Sequence, residues 1–388
     1  MIISKRFVSA LAAAAALTAL VFTERTAAQQ PAQQAQPESP MLSVVEQLMK
    51  TRSQEQPQSS MRKIELPAGN DLEVLHVEGQ VYMIAGGATR SNIAVQVGPE
   101  GVFLVDAATE DVSDKVLQAI RVLSKGPINY IVTTTADVDH YGGNAKLGGA
   151  GQNPTIAPQG LSGRVVGRGQ DAVQQGGGGG GQNALRPSGS IVFSHENTLN
   201  RLSAPTGQEA AAAFPLWPTS TFFTPIKTVF YNDEPVELKY APNAHTDGDV
   251  MVFFRRSDVI ASGDVIDTLG YPMIDLKRGG GIVGALDALN EIIEMTVPRF
   301  NQQGGTKVVP GHGRILNEAD VVEYRDMNTI IRDRVKLGID KNMTLDQIKK
   351  MGPTLDYDGL YSRPAWTGEM FVEAIYNDLR RPVGTAAR

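Results

Sequence analysis

The chain of 388 residues contains no cysteine. That excludes disulfides, zinc ribbons and fingers built on thiolates, and a lipid anchor carried by an N-terminal cysteine. Any metal must be held by nitrogen and oxygen. Tryptophan and histidine are scarce, with 2 and 5 copies, so each histidine can be weighed singly. Basic charge is in deficit, 36 Lys and Arg facing 42 Asp and Glu for a formal net charge of −6. Polyanion binding rests largely on Lys and Arg neutralising phosphates, so nucleic acid is not an expected partner. Long apolar runs are missing too, except one near the N-terminus.

That run reads as a secretory signal over residues 1–28. Lys5 and Arg6 form a basic start, Phe7 to Phe22 an alanine-rich apolar core, and Thr26-Ala27-Ala28 a small-residue cleavage site. A bilayer span needs about 20 apolar residues; this run is shorter. The expected product is periplasmic or secreted, with no membrane attachment after cleavage. Losing Lys5, Arg6, Arg25 and Glu24 makes the mature chain more acidic still.

Residues 29–65 are rich in Gln, Pro and Ser, too polar to pack a core, and read as a disordered leader with a short helix over Leu42 to Met49. The main domain is expected over 66–338. Two hairpins come first, one around Gly79 and one around Gly98-Pro99-Glu100-Gly101. The apolar spacing of Val112, Val116, Ile120 and Leu123 predicts a helix leading into a strand over Ile128 to Thr133. Residues 150–189 break the rhythm with the uninterrupted run Gly176 to Gly181, an insertion rather than an element. Strands are expected again at Ser190–Phe193, Lys227–Phe230, Val236–Tyr240, Val250–Phe254 and Val259–Ala261. Helices are expected at Gly284–Val297 and Glu318–Leu337, and a C-terminal extension, 339–388, holds two more.

Four segments carry side chains suited to a metal, each at the end of a strand-like run. Thr133-Thr134-Thr135-Ala136-Asp137-Val138-Asp139-His140-Tyr141-Gly142-Gly143 follows the strand that starts at Ile128. Ala244-His245-Thr246-Asp247-Gly248-Asp249 follows Val236 to Tyr240. Ala261-Ser262-Gly263-Asp264 ends the run Val259-Ile260, and Val308-Val309-Pro310-Gly311-His312-Gly313 closes the set. Strand ends in layered α/β proteins are where short loops present functional groups from a rigid support. His195, at the start of a short helix, and His76, inside a strand, read as structural. Trp217, flanked by Pro215 and Pro218, suits either a substrate cleft or simple packing.

In order and spacing these segments resemble the metallo-β-lactamase superfamily and its HxHxDHxGG signature, from about residue 72 to 335. Asp139, His140, Gly142 and Gly143 match; Thr135 and Asp137 stand where two histidines are usual. The resemblance implies a four-layer αββα sandwich. Composition alone says only α/β or α+β. It also implies that Asp139, His140 and His312 form one metal site, and that Asp264 bridges to a second site holding His245. Asp137 can still ligate there, whereas a threonine hydroxyl is a weak ligand.

The implied cofactor is Zn2+, one or two ions, with iron or manganese left open because two histidines and a carboxylate also suit non-haem iron. The implied activity is hydrolysis of a lactam, lactone or ester-like bond in a small-molecule substrate. In it a bound water is brought towards a pKa of about 7, and Asp139 and Asp264 act as the catalytic carboxylates. Two rivals stand beside it: an iron oxidoreductase of the sulfur-dioxygenase kind on the same fold, and a binding protein with a decayed site.

Overall fold

The computed structural model describes residues 61–85, 91–154, 189–204, 208–296 and 305–381. The expected signal, the leader with its helix over Leu42 to Met49, and most of the glycine-rich insertion lie outside these residues. No helix among the described residues is long and apolar enough to cross a membrane.

Among the described residues, thirteen strands form two sheets. The first has eight strands in sequential order: β1 (Lys63–Ile64), β2 (Glu73–Glu78), β3 (Val81–Ala85), β4 (Ile93–Gly98), β5 (Gly101–Val105), β6 (Ile128–Val132), β7 (Ile191–His195) and β8 (Ser220–Phe222). Pairing is antiparallel up to β5 and parallel from β5 to β8, because helical crossovers replace the hairpins there. The second sheet has the order β13-β12-β11-β10-β9, formed by β9 (Ile226–Tyr231), β10 (Glu234–Ala241), β11 (Asp249–Phe254), β12 (Val259–Asp267) and β13 (Lys307–His312). Asn232 and Asp233 join β9 to β10 with φ of 49° and 65°, the two-residue turn whose twist matches the flanking strands.

Successive side chains of a strand face opposite sides, and β5 shows what that does here. Phe103 and Val105 enter the core between the sheets, where Met83, Val132, Leu238, Val252, Phe254 and Val309 also meet. Val102 and Leu104 point the other way, onto Val116, Ala119 and Ile120 of helix α1 (Ser113–Leu123). The outer face of the second sheet is covered in the same manner. Met251, Ile260 and Val308 pack under α5 (Ile282–Thr296) and α6 (Glu318–Asp340). The inner strands β4, β5, β6, β11 and β12 are therefore buried on both faces, which is why they read as nearly continuous apolar runs. The layers are helix, sheet, sheet and helix, the αββα sandwich expected from the sequence.

Between these elements come α2 (Val138–Tyr141), α3 (Asn144–Gly149) and α4 (Glu196–Leu202). The segment after β6, expected as a loop, thus winds into two short helices. The described C-terminal residues hold three helices rather than two: α7 (Leu345–Lys350), α8 (Asp358–Tyr361) and α9 (Gly368–Leu379). Ile348, Phe371 and Ile375 share a core with Ile331 and Val335 of α6. Their starts are fixed locally, since Asn317 with Asp320 and Thr344 with Gln347 form reciprocal capping boxes for α6 and α7.

One strand departs from expectation in a way that matters. β12 does not stop near Ala261 but runs nine residues to Asp267, with an irregular register against β13 at Gly263. Gly263 has φ of 52°, and a Cβ there would lie 2.7 Å from Thr134 Cβ, so only glycine fits the kink. A bulge of this type re-aims the side chain that follows it. That side chain is Asp264.

Candidate metal centre

β6 delivers the first ligands. Its continuation is pinned by Thr133 N donating to Phe193 O at 2.8 Å and Thr134 N to Asp106 Oδ1 at 2.9 Å. The chain then turns through Asp137 into α2, which carries Asp139 and His140. His140 is fully buried; its Nδ1 faces Asp106 Oδ2 at 2.8 Å, and Thr134 Oγ1 donates to the same carboxylate. Ser91 Oγ donates to the Asp139 carbonyl, holding the outer side of the same turn.

The second sheet supplies the rest. His312 ends β13, and Asn92 clamps the turn around it: its Nδ2 donates to Pro310 O at 3.0 Å and Gly313 O at 2.9 Å. His245 follows β10, with Nδ1 donating to Met273 O at 2.7 Å. Asp264 projects from the β12 kink between the three imidazoles.

Two clusters result, Asp139 with His140 and His312, and Asp137 with His245 and Asp264; in each, the candidate ligand atoms lie within 4.8 Å of one another. The structure therefore brings together all six residues singled out in the sequence. His140 and His245 form a buried floor, while the side chains of Asp137, Asp139 and His312 are 26%, 22% and 16% exposed and open the centre to solvent.

The residues of the first cluster, together with Asp264 from the second, fit a bound cation. Ligands tetrahedrally placed about 2.0 to 2.2 Å from a zinc ion are about 3.3 to 3.6 Å from one another. His312 Nε2 lies 3.2 Å from Asp139 Oδ2 and 3.4 Å from Asp264 Oδ1, and His140 Nε2 lies 3.1 Å from Asp264 Oδ1. His140 Nε2 and Asp264 Oδ1 are both buried with no hydrogen-bond partner. At 3.1 Å the two are an ion pair without hydrogen-bond geometry, and each keeps acceptor or donor capacity that a cation beside both would use. His140, moreover, has its other nitrogen on a carboxylate, the arrangement that orients ligating histidines.

Protein groups alone perturb the titration of His140, His245, His312, Asp137 and Asp264. Burial opposes the charge on His245, but its hydrogen bond to Asp137 and the charges of Asp249 and Asp264 raise its pKa to about 10. Burial likewise opposes ionisation of Asp137, yet His245 and then Arg278 hold it at about 2. Asp264 is held well below the usual carboxylate range against its burial, by His140, His245 and His312. Despite burial, His140 is raised by Asp264 and Asp106, and His312 by Asp139 and Asp264. Asp249, beneath His245, is pushed up to about 6 by burial, against its hydrogen bonds from Thr246.

Several contributors lie beyond the sequence reading. Asp106 ends the apolar run of β5 as Asp264 follows one in β12, so its signal was present. Arg278 had none: its Nη2 reaches Asp137 Oδ1 at 2.6 Å, across 141 positions of sequence. His195 caps α4, accepting from Asn197 N at 3.3 Å, and stacks on Tyr240 with ring centres 3.7 Å apart. His76 faces Gly79 O at 3.0 Å within the β2–β3 hairpin. Neither belongs to either of the two clusters. Trp217 packs with Tyr141, Leu202 and Ala212, its Nε1 donating to Ala212 O at 2.8 Å.

An αββα sandwich carrying a histidine–carboxylate centre where its two sheets meet defines a class, the metallohydrolase-type fold. The chain belongs to the metallo-beta-lactamase superfamily, whose sequence profile matches residues 86–312. Among solved structures it resembles the stereoselective inverting sec-alkylsulfatase Pisa1 from Pseudomonas sp., at 15% identity and a TM-score of 0.54 over 78% of this chain. The likeness covers 49% of the alkylsulfatase, so the chain spans about half the length of that protein. It also resembles a metallo-beta-lactamase from Pontibacter korlensis, at 16% identity and a TM-score of 0.46, over 67% of this chain and 99% of that one. No curated protein matches the chain.

Proposed function

We propose that this protein is an exported metal-dependent hydrolase that opens a lactam, lactone or ester-like bond in a small molecule. The observation that carries the reading is the facing pair of unsatisfied buried atoms, His140 Nε2 and Asp264 Oδ1, at the centre of a histidine–carboxylate cluster. A divalent ion held there would supply Lewis acidity and an acidified water. Asp106 and Thr134 hold the His140 ring so that Nε2 faces the centre. Asp264, supported by the β12 kink, keeps one oxygen towards His140 and His312 and the other towards His245, 3.9 Å away. Asp139, solvent-facing beside His312, is placed to orient a water and return its proton to a leaving group. Export is part of the same proposal and rests on the pattern of residues 1–28.

Zinc is the metal proposed, since the donor set is nitrogen and oxygen only and the activity proposed is hydrolytic. The test is metal content by mass spectrometry on protein purified without added chelator. It is paired with hydrolysis of a panel comprising a chromogenic cephalosporin, a lactone, an aryl carboxylate ester and, because a protein of similar fold is an alkylsulfatase, an alkyl sulfate. Zinc with chelator-sensitive hydrolysis supports the proposal. Stoichiometric iron with oxygen consumption replaces it by the oxidoreductase reading, and a protein that takes up no metal replaces it by the binding-protein reading.

A further inference from the structure

The two clusters are not equivalent. Around the first, His312 Nε2 stands 3.2 Å from Asp139 Oδ2, and Asp264 Oδ1, reaching across from the second, stands 3.1 Å from His140 Nε2 and 3.4 Å from His312 Nε2, spaced as if around an ion. In the second, His245 Nε2 and Asp137 Oδ2 are 2.6 Å apart, a direct charge-assisted hydrogen bond and too close for two ligands sharing a tetrahedral ion. The other oxygen of Asp137 is also taken. Arg278 Nη2 donates to Asp137 Oδ1 at 2.6 Å, its Nη1 to Ala136 O at 3.0 Å, and its Nε to Asp275 Oδ2 at 2.7 Å. Asp275 in turn accepts from Lys277 N and Arg278 N, and donates its own N–H to His245 O at 2.9 Å. Arg278 is thus locked at three points, and its guanidinium, which stays charged at any working pH, lies on the one carboxylate left where two histidines are usual in the family.

We propose that Arg278 is a positioning residue that closes the second metal position: by binding Asp137 it supplies a fixed positive charge where a second ion would sit, so that the protein holds one ion tightly, at Asp139, His140 and His312. A guanidinium delivers that charge without a vacant coordination position and repels an incoming divalent cation. The inference rests on the metal reading above, yet concerns how many ions bind rather than whether any does.

The test is zinc titration of the chelator-stripped full-length protein, read by calorimetry and by metal mass spectrometry after gel filtration. The wild type should retain one equivalent. Arg278→Met should retain two, because losing one charge-assisted hydrogen bond and its repulsion frees Asp137 and tightens the second equivalent by about tenfold or more. Asp137→Asn should leave the first equivalent in place. Should Arg278→Met fail to fold, Arg278→Gln, which can still donate to Ala136 O, decides on the same readout. A wild type that loads two equivalents of similar affinity overturns the inference, as does an Arg278 variant that still loads one. A wild type that loads none overturns the hydrolase reading and this inference with it.

Discussion

His140 donates its Nδ1 proton to Asp106 Oδ2 across 2.8 Å, and Asp106 is simultaneously held by Thr134 through both N–H and Oγ1–H. The pairing fixes the ring so that Nε2 faces Asp264. Asp106 itself adopts φ of 68°, a left-handed conformation that asparagine also tolerates. Asp106→Asn therefore keeps the backbone and removes only the charge and one acceptor. Metal affinity should fall about 10- to 100-fold, as when the partner of a ligating histidine is lost. Chelator competition measures it; an affinity within a factor of two of wild type would mean that Asp106 does not support a ligand.

Substitution of the ligands themselves should separate the clusters. His140→Ala and His312→Ala should each lose the tightly held ion, whereas His245→Ala should retain it, since His245 belongs to the Asp137 cluster. Thr135→Ala should leave metal content near wild type: the Thr135 hydroxyl is buried and reaches only Asp137 Oδ2, at 3.4 Å. Equal loss across all four variants, read by metal mass spectrometry, would contradict the assignment.

Much of this centre was legible because strand ends and glycine contexts are written locally. His140, His245 and His312 each follow a strand, nearly continuously buried in β6 and β13 and alternating in β10, and such short apolar patterns bounded by glycine are visible in the sequence. What was not legible depends on contacts made only after folding. Arg278 meets Ala136 and Asp137 because the connection that follows β12 ends in a turn, Leu276–Arg278, placed beside the start of α2, and no spacing rule encodes that meeting. Asp264 looked like a strand terminus because Gly263 normally interrupts a strand; here the interruption is a bulge and the strand continues to Asp267. The segment around Asp137 and His140 was read as a loop since four-residue helices carry too little periodicity to detect.

The metal-free protein should show a pH dependence set by His245 and Asp137. His245 is raised from 6.5 to about 10, so its pairing stabilises the fold fully below about 6.5 and is lost as pH rises through 10. Asp137 is lowered from 3.8 to about 2, so its contribution is present above 3.8 and lost as pH falls through 2. Between about pH 4 and 6.5 both contribute. Urea unfolding in chelator should show the stability advantage of wild type over His245→Gln shrinking steadily from pH 7 to pH 10. A constant difference across that range would show that the pair is not ionised as described. Metal binding near neutral pH should also release protons, because the ion displaces the one shared by His245 or those on His140 and His312.

Gly311 tests whether the spacing of the first cluster is imposed by the backbone. A Cβ at this position would lie 2.3 Å from Asp264 Oδ1 and 2.8 Å from the Gly263 carbonyl, so alanine must displace either the carboxylate or the paired strands β12 and β13. Overpacking of this kind costs about 1 to 3 kcal/mol. If the carboxylate moves, Gly311→Ala should bind zinc more weakly while unfolding near the wild-type midpoint in chelator. If the strands move, stability falls and the affinity loss follows from it. The geometry favours the first outcome, since Asp264 is the nearer neighbour and ends in a carboxylate that can rotate, whereas the Gly263 carbonyl is backbone within the sheet. Chelator competition and urea unfolding on the same preparation distinguish the two. A variant unchanged in both would show that Asp264 does not occupy the position assigned to it beside His140 and His312.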